Sequence, residues 1–350
     1  MRRFNLINLT ATATIIAAAA VLSSCSEEQD AYLRSLNIKA EKLEYIDSLN
    51  IEQYNLFQAI DNVKIDKDWL LLSAAKGDYN LLFVNIVTSD HFFAIRRGRG
   101  PGEIIQGCSL HKCGDDAVYY DVNNGKCIRI NSSESIRNHK IVMDTAAIFC
   151  DKASRPIYMT SCGADGFISG NMLDTKVWYS YYDKEGKILS SVASLNFDGY
   201  AEDDEVHLSS LLLSSRYASN PDGTKVCVAS VPTASLSFSN VDSGKLIEYK
   251  RYEADIVGTT NGRLTPEAIN AFYGIVADDK YVYVIYSGHK LKDDVLPVNE
   301  CRDLIVYDWD GNLVKRYLLN RNVSSVYIEG KTLWCTSTYP EHCVYKFILL

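Results

Sequence analysis

Short strand-like segments joined by tight turns constrain this chain more than any other feature of its sequence. A strand that enters an Asp-Gly or Asn-Gly type turn and leaves as a second strand recurs at Gly125, Gly186, Gly244 and Gly311. Glycine supplies the positive φ that a tight hairpin requires. The segments, such as residues 280–286, are rich in β-branched and aromatic residues, and the body has no long stretch with the 3.6-residue period of a helix. The pattern predicts an all-β protein.

The length of this body favours a β-propeller over a sandwich. The four turn glycines lie 61, 58 and 67 residues apart, which exceeds the roughly 40–50 residues of one blade. We therefore expect insertions, such as residues 202–205, to lengthen some loops. About 290 residues of hairpins suit a propeller, in which each sheet buries both faces against its neighbours, and six blades fit best. The C-terminal run 344–350 is expected to pair within the last blade, where strands from both chain ends close the ring.

The N-terminus predicts export and lipid attachment. Arg2 and Arg3 precede the uncharged residues 6–22, and small residues then lead to Cys25. A positive segment, an apolar segment and small residues are typical of a secretory signal. The pattern resembles the lipobox of bacterial lipoproteins, which implies that the signal is cut before Cys25 and that the Cys25 thiol carries the lipid. A short transmembrane helix is the alternative, but polar residues interrupt the stretch and it is short for a full span.

Three segments follow from these patterns. Residues 1–24 are predicted to be a lipoprotein signal peptide, residues 25–50 a lipid-anchored acidic tether, and residues 51–350 a six-bladed β-propeller. The acidic tract 26–30 resembles the tract that marks surface-exposed lipoproteins of Bacteroidetes. This resemblance implies an outer-membrane protein, held by its lipid anchor and exposed at the cell surface.

One loop carries a resemblance to a family. Residues 93–103 resemble the signature loop of the TolB-like six-bladed β-propeller lipoproteins of Bacteroidetes, and residues 277–288 and 304–311 resemble further parts of the same family in the same order. The resemblance covers roughly residues 55–350 together with the lipobox. It implies the propeller fold, related to the TolB and NHL propellers, and an envelope location. It brings no catalytic residues.

The same loop is the candidate binding site. Arg96, Arg97 and Arg99 stand together in a chain whose net charge is -8, and guanidinium groups can hold a carboxylate or phosphate through two hydrogen bonds. A structural interpretation competes: one arginine pairs with Glu103 or with an acid of a neighbouring blade and fixes the loop. We favour the structural interpretation because a rigid Gly-Pro-Gly turn suits a crossover between blades.

Other clusters have simpler explanations than catalysis or metal binding. Cys108, His111 and Cys113 lie within six residues, but zinc sites need a second ligand pair, so a local disulfide is favoured over a metal and no metal site is predicted. Cys127, Cys227 and Cys335 lie in strand-like runs and are expected to be buried. Acidic pairs such as Asp278-Asp279 lack the alternation of a calcium loop and are expected in solvated turns. The aromatic residues 178–182 are expected to pack between sheets rather than to stack on sugars.

Charge and motifs limit the functions that this chain is expected to have. The acidic charge argues against nucleic acid as a partner, and no nucleophile elbow, zinc-protease motif or P-loop is present. Catalytic residues are unknown, no cofactor is expected, and the sequence leans toward a non-enzyme. We expect a lipid-anchored envelope propeller that binds or scaffolds a glycan, a peptide or an outer-membrane partner. The alternatives are a metal-dependent hydrolase, lactonase or lyase with its site in the central channel, and a purely structural envelope component.

Overall fold

A computed structural model describes the greater part of the chain from residue 31 onward. The described residues are 31–56, 59–74, 77–149, 156–164, 166–171, 176–195, 214–253, 259–260, 263–293, 301–338 and 341–350. The predicted signal peptide, Cys25, the acidic tract and the predicted insertion at residues 202–205 lie outside them. Of two compact units, Met1–Ile38 contains helix α1 (Ala31–Ser35) and Lys39–Leu350 contains the strands. None of the described helices is long and apolar enough to cross a membrane.

Two short strands, β1 (Glu41–Leu43) and β2 (Asp47–Asn50), and a 3-10 turn (Glu52–Tyr54) precede the blades. Each of the first three blades is a sequential antiparallel meander of four strands. Blade 1 consists of β3 (Ala59–Asp66), β4 (Trp69–Ala74), β5 (Tyr79–Asn85) and β6 (His91–Arg96). Blade 2 consists of β7 (Gly107–Cys113), β8 (Asp116–Asp121), β9 (Lys126–Ile130) and β10 (Met143–Ile148), with helix α2 (Ser132–Asn138) before β10. Blade 3 consists of β11 (Pro156–Cys162), β12 (Gly166–Asn171), β13 (Val177–Asp183) and β14 (Ile188–Ala193).

The last three blades continue the pattern, and the last two recruit the N-terminal strands. Blade 4 consists of β15 (Ser215–Ser219), β16 (Lys225–Ser230), β17 (Leu236–Asp242) and β18 (Lys245–Tyr252), followed by the hairpin β19 (Thr259–Thr260) and β20 (Arg263–Leu264). Blade 5 consists of β21 (Ile269–Ala277), β22 (Tyr281–Lys290), β23 (Cys301–Asp308) and β24 (Leu313–Val323), with a 3-10 turn (Leu291–Asp293) after β22. Blade 6 consists of β25 (Ser325–Glu329), β26 (Thr332–Ser337), β27 (Cys343–Ile348) and β2.

The first strand of every blade lies at the centre of a closed ring. Each of these inner strands contacts the inner strand of the next blade, and the inner strand of blade 6 contacts that of blade 1. The prediction of an all-β, six-bladed propeller is confirmed. Its core lies between the blades, where apolar side chains from facing sheets form continuous clusters.

The ring closes through the two N-terminal strands. Strand β2 pairs antiparallel with β27, from Asp47 opposite Lys346 to Asn50 opposite Cys343, and β1 pairs in parallel with β24. The predicted pairing of the C-terminal strand within the last blade is confirmed. The strands begin ahead of the boundary expected at residue 51, because β1 and β2 lie in the segment assigned to the tether. Their side chains are mostly exposed and polar, so they join through backbone hydrogen bonds and leave little apolar signal in the sequence.

The four turn glycines have the backbone conformation that the sequence predicts. Their φ angles are +61° for Gly125, +76° for Gly186, +78° for Gly244 and +74° for Gly311. The turns are not all equivalent, however. Gly125 lies between the second and third strands of its blade, whereas the other three lie between the third and fourth strands. The first spacing of 61 residues is therefore not a blade repeat.

The buried aromatic residues confirm the packing interpretation, whereas the disulfide interpretation is wrong. Trp178, Tyr179 and Tyr182 are fully buried. The eight cysteines that the structure describes are free, and Cys127, Cys227 and Cys335 are buried as expected. Cys108 and Cys113 lie five positions apart on the extended strand β7, which separates them by about 16 Å. A disulfide requires Cα atoms within about 7 Å, so these two thiols cannot be bridged.

Candidate functional site: the central channel

The six inner strands enclose a channel whose larger chamber has a volume of about 650 Å³. Every inner strand contributes to its wall, for example through Asn62, His111, Thr160, Tyr217, Tyr273 and Tyr327. Residues of the turns that follow these strands, including Gly114, Gly163 and Asp222, also line it. The chamber therefore lies toward the propeller face where the inner strands end.

A smaller chamber of about 280 Å³ lies toward the opposite face. Gln106, just before β7, and Cys108, near the start of β7, line it together with Ser214, just before β15. Tyr158, Arg216 and Tyr217 line both chambers. These three side chains therefore mark the boundary between the two parts of the channel.

A buried polar network lies at this boundary. The Tyr158 hydroxyl donates to Asp61 Oδ1 over 2.9 Å, and the Leu110 backbone N–H donates to Asp61 Oδ2 over 3.2 Å. The Arg216 guanidinium lies over the Tyr158 ring, 4.4 Å from its centroid, and its Nε donates to the Tyr273 carbonyl over 3.0 Å. The network joins inner strands of blades 1, 2, 3, 4 and 5. Burial raises the pKa of Asp61 to about 6, and the Tyr158 hydrogen bond and the Arg216 charge only partly oppose this effect.

His111 projects from β7 with Nε2 hydrogen-bonded, whereas its Nδ1 has no partner in the described part of the chain. The Ser161 backbone N–H donates to His111 Nε2 over 2.8 Å, so Nδ1 carries the proton, and the Ser161 Oγ lies 2.7 Å from the same Nε2. Burial lowers the pKa of His111 to about 3, so the ring is neutral. An imidazole with so low a pKa is a poor general base, and no described carboxylate orients Nδ1. The geometry suits hydrogen bonding better than nucleophilic catalysis by Ser161.

Several buried polar atoms along the larger chamber have no hydrogen-bond partner among the described residues. They are Asn62 Oδ1, Ser109 Oγ, His111 Nδ1 and Arg129 Nε. Buried polar groups in proteins are nearly always paired with protein or with ordered water. Four such atoms around one cavity therefore mark it as the place where a ligand or bound water completes the hydrogen bonding.

The predicted binding loop, residues 96–103, lies elsewhere and forms the crossover between blades 1 and 2. The Arg97 guanidinium donates to the carbonyls of Ala74, Gly77 and Ile105 over 3.0, 3.0 and 2.7 Å. Glu103 Oε2 accepts from the Gly100 N–H over 2.8 Å. The structural role of the loop is thus visible, although Arg97 pairs with backbone carbonyls and not with an acid.

Buried Asn80 clamps the base of this loop. Its amide nitrogen donates to the carbonyls of Ile95 and Ile104 over 3.3 and 2.8 Å, and its oxygen accepts from the Tyr119 hydroxyl over 3.4 Å. Ile95 has a φ of +53°, a conformation that β-branched residues avoid. The clamp holds that strained backbone in place.

Arg96 and Arg99 are exposed and make no hydrogen bond or ion pair with the described residues. Anion binding by these two arginines stays a prediction. The loop precedes β7, so it lies toward the face of the smaller chamber, and its residues do not line the larger chamber. Among the described residues, no group of three or more His, Cys, Asp or Glu side chains is placed to hold a metal ion.

Sequence reasoning missed Asp61, Tyr158 and Arg216. They lie on three blades and are separated by 97 and 58 residues, and none belongs to a motif. His111 was considered only as a zinc ligand beside Cys108 and Cys113. No local signal marks these residues, because the closed ring alone brings them together.

Comparison with known proteins identifies the family of this chain. The sequence model of the family described as TolB-like 6-blade propeller-like matches residues 53–331, in agreement with the six blades of the fold. The chain belongs to this family. A search of the curated proteins finds no match.

Solved structures agree with this assignment at the level of the fold. Regucalcin from Agrobacterium tumefaciens, a calcium-binding protein, has a TM-score of 0.55 and 13% identity over 89% of this chain and 95% of its own. A member of the DUF4221 family from Bacteroides vulgatus has a TM-score of 0.54 and 11% identity over 89% and 96%. A luciferin-regenerating enzyme has a TM-score of 0.51 and 11% identity over 87% and 95%. At these identities the likeness concerns the fold alone.

Proposed function

We propose that the protein is an envelope-displayed binding module whose larger channel chamber takes a polar ligand. The ligand would be the end of a glycan or peptide chain, or an exposed group of an outer-membrane partner. The observation that carries this proposal is the set of four buried polar atoms around a chamber of about 650 Å³ that have no hydrogen-bond partner among the described residues. That volume lies within the range of small-molecule sites, which combine apolar walls with a few convergent polar groups.

The residues of the channel support binding over catalysis. His111 is neutral and its Nε2 already accepts a backbone hydrogen bond. Asp61 accepts hydrogen bonds from Tyr158 and from the Leu110 backbone. A metal-dependent hydrolase, lactonase or lyase with its site in the channel is the alternative, and it rests on analogy of fold alone. Metal analysis of the purified protein tests it, because one bound divalent ion per chain would favour that alternative.

We further propose that lipid at Cys25 anchors the propeller to the outer membrane with the chamber accessible from the cell surface. The lipobox pattern and the acidic tract at residues 26–30 support this proposal. Replacing Cys25 with Ala removes the acylation site and, with it, about 0.8 kcal/mol of anchoring free energy per buried methylene. The variant should leave the membrane fraction in a carbonate wash. Retention of Cys25→Ala, or protection of the wild type from protease added to intact cells, would contradict the respective part of the proposal.

Thermal unfolding with a panel of mono- and oligosaccharides and short peptides tests binding in the chamber. A ligand at 100 times its Kd adds about 2.7 kcal/mol to the free energy of unfolding and raises Tm. Ala164 is exposed and lines the chamber, so Ala164→Trp should obstruct it. Val87 is 71% exposed and lies on blade 1 outside the chamber, so Val87→Trp is the matched control. Ligands should raise Tm in the wild type and the control but not in Ala164→Trp; an equal rise in all three would rule out the chamber as the site.

A further inference from the structure

We infer that one wall of the larger chamber binds the carboxylate group of a small organic acid. This wall, the blade 2 wall, consists of Ser109, His111 and Arg129. The inference rests on the proposed function, because it names the ligand class of the same chamber. It follows from where these side chains point, which hydrogen bonds they lack, and how charge is distributed around them.

The three side chains of the blade 2 wall project from the same face of the sheet. His111 lies opposite Val118, and Val118 lies opposite Arg129. Residues directly opposite in an antiparallel sheet share a face, and so do residues two apart on one strand, which adds Ser109. His111 Nε2 meets the Ser161 N–H, and the Arg129 Nη2 donates to the Ala164 carbonyl over 3.1 Å. Both side chains therefore reach the same end of strand β11 in blade 3.

Each member of the wall offers a donor without an acceptor. His111 Nδ1 carries the proton of a neutral ring, Arg129 has Nε–H, and Ser109 has its hydroxyl, and none of these atoms has a partner among the described residues. A carboxylate is the complementary group, because its two oxygens accept about four hydrogen bonds. The three atoms are shielded from solvent, so small side-chain rotations must accompany binding. Arg129 is only half-buried, which allows its guanidinium to turn.

Two cations on the blade 2 side of the chamber are free to pair with an anion. Arg129 and Lys112 line the chamber and form no ion pair with any described carboxylate, and Asp144, opposite Arg129 on β10, makes none with it. The three acids that line the chamber, Asp61, Asp222 and Asp278, already accept hydrogen bonds from the protein, Asp61 from Tyr158 and the Leu110 N–H. Asp222 accepts from Thr224, and Asp278 accepts from the backbone N–H groups that follow it. The cations of the chamber wall that lie in blade 2, Arg129 and Lys112, therefore have no ion-pair partner among the described residues and are available to an anion.

Calorimetric titration with matched acid and neutral probes tests the inference. Galacturonate is paired with galactose, and N-acetylalanine with N-acetylalaninamide, so that the two acids also separate a sugar source from a peptide-terminus source. The wild type should bind at least one acid about tenfold or more tighter than its neutral partner, as expected for a charge-assisted hydrogen bond. Arg129→Gln should lose that preference. Arg137→Gln removes the same charge from an exposed position on helix α2, outside the chamber, and should retain it.

The outcomes separate this inference from the proposed function. If a neutral probe binds as tightly as its acid, or if no acid binds at about 10 mM, the carboxylate inference is wrong. Ligand protection that is lost in Ala164→Trp would still uphold the binding chamber. If Arg129→Gln keeps the preference, the blade 2 wall is not the site. Should Arg129→Gln fail to fold, Ser109→Ala is the second variant; it keeps the charge and should weaken acid binding severalfold, and unchanged binding would overturn the assignment.

Discussion

The crossover loop at residues 96–103 and the blade 2 wall both present arginine, but they use their polar groups in opposite ways. In the loop, Arg97 donates to three backbone carbonyls and Glu103 accepts from a backbone N–H. On the wall, three donors have no partner among the described residues. The arginine-rich motif of the loop stabilises the fold. The groups that are available to a ligand belong to residues that are separated in the sequence of blade 2. A conspicuous motif therefore need not be the binding site.

Replacing Arg97 with Ala should have the largest effect on stability. The change removes three charge-assisted hydrogen bonds to the carbonyls of Ala74, Gly77 and Ile105, and we expect a loss of about 2–3 kcal/mol in the free energy of unfolding. Chemical denaturation measures it. Arg96→Ala is the matched control, since exposed Arg96 makes no described hydrogen bond, and it should change stability by less than about 0.5 kcal/mol. Equal losses of stability in the two variants would contradict a structural role for Arg97 in the loop.

The free energy of unfolding should depend on pH through two channel groups, because burial shifts their pKa values in opposite directions. The pKa of Asp61 is raised from 3.8 to about 6, so the folded state holds a proton that the unfolded state has lost, and stability falls as pH rises from about 4 to 6. The pKa of His111 is lowered from 6.5 to about 3, so the unfolded state holds the extra proton and stability rises from about pH 3 to 6.5. Each contributes at most about 1.4 kcal/mol per pH unit.

Single variants separate these opposing slopes. Asp61→Asn removes the contribution that falls with pH, so between about pH 4 and 6 the stability of this variant should rise relative to that of the wild type. His111→Gln removes the contribution that rises with pH, so its stability should fall relative to that of the wild type. Denaturant unfolding at several pH values gives both slopes. The loop variant Arg97→Ala is the control and should run parallel to the wild type. Parallel curves for all four proteins would mean that neither channel group is perturbed by its surroundings.

Glu103→Ala should have a smaller effect, confined to the loop. It removes one hydrogen bond to the Gly100 N–H, worth about 1 kcal/mol, and melting curves should show a modest decrease in Tm. Binding of acids in the chamber should not change. Loss of acid binding with intact stability would place the ligand site in the loop after all.

The smallest effect is expected from Arg96→Ala combined with Arg99→Ala. Both side chains are exposed and unpaired among the described residues, so Tm should remain within about 1–2 °C of the wild type. The double variant also isolates the predicted anion-binding role of the loop. If titration with phosphate or galacturonate shows weaker binding in this variant than in the wild type, the loop is a second site.

The sequence was sufficient for features whose signal is local. Positive φ at Gly186 and Gly311 follows from turn chemistry, and the buried Trp178 follows from its place in an aromatic strand. Strands β1 and β2 were missed because exposed, polar edge strands carry no apolar alternation. The residues of the channel were missed for a different reason: Asp61 and Arg216 become neighbours of Tyr158 only when the ring closes, and no spacing within one blade encodes that contact.

The closure by β1 and β2 has a mechanical consequence. Tension applied at the N-terminus reaches β1, held by three residue pairs to β24, and then β2, held by four pairs to β27, before it reaches the interior of any blade. We therefore expect these two short strand pairings to separate first under force. Once β2 is pulled from β27, blade 6 is held against blade 1 by side-chain packing, by the hydrogen bond from Asn62 to Ser325 and by the ion pair of Lys64 with Glu329. In a propeller pulled from this end, the strands that close the ring, β1 and β2, are also the strands that resist tension least.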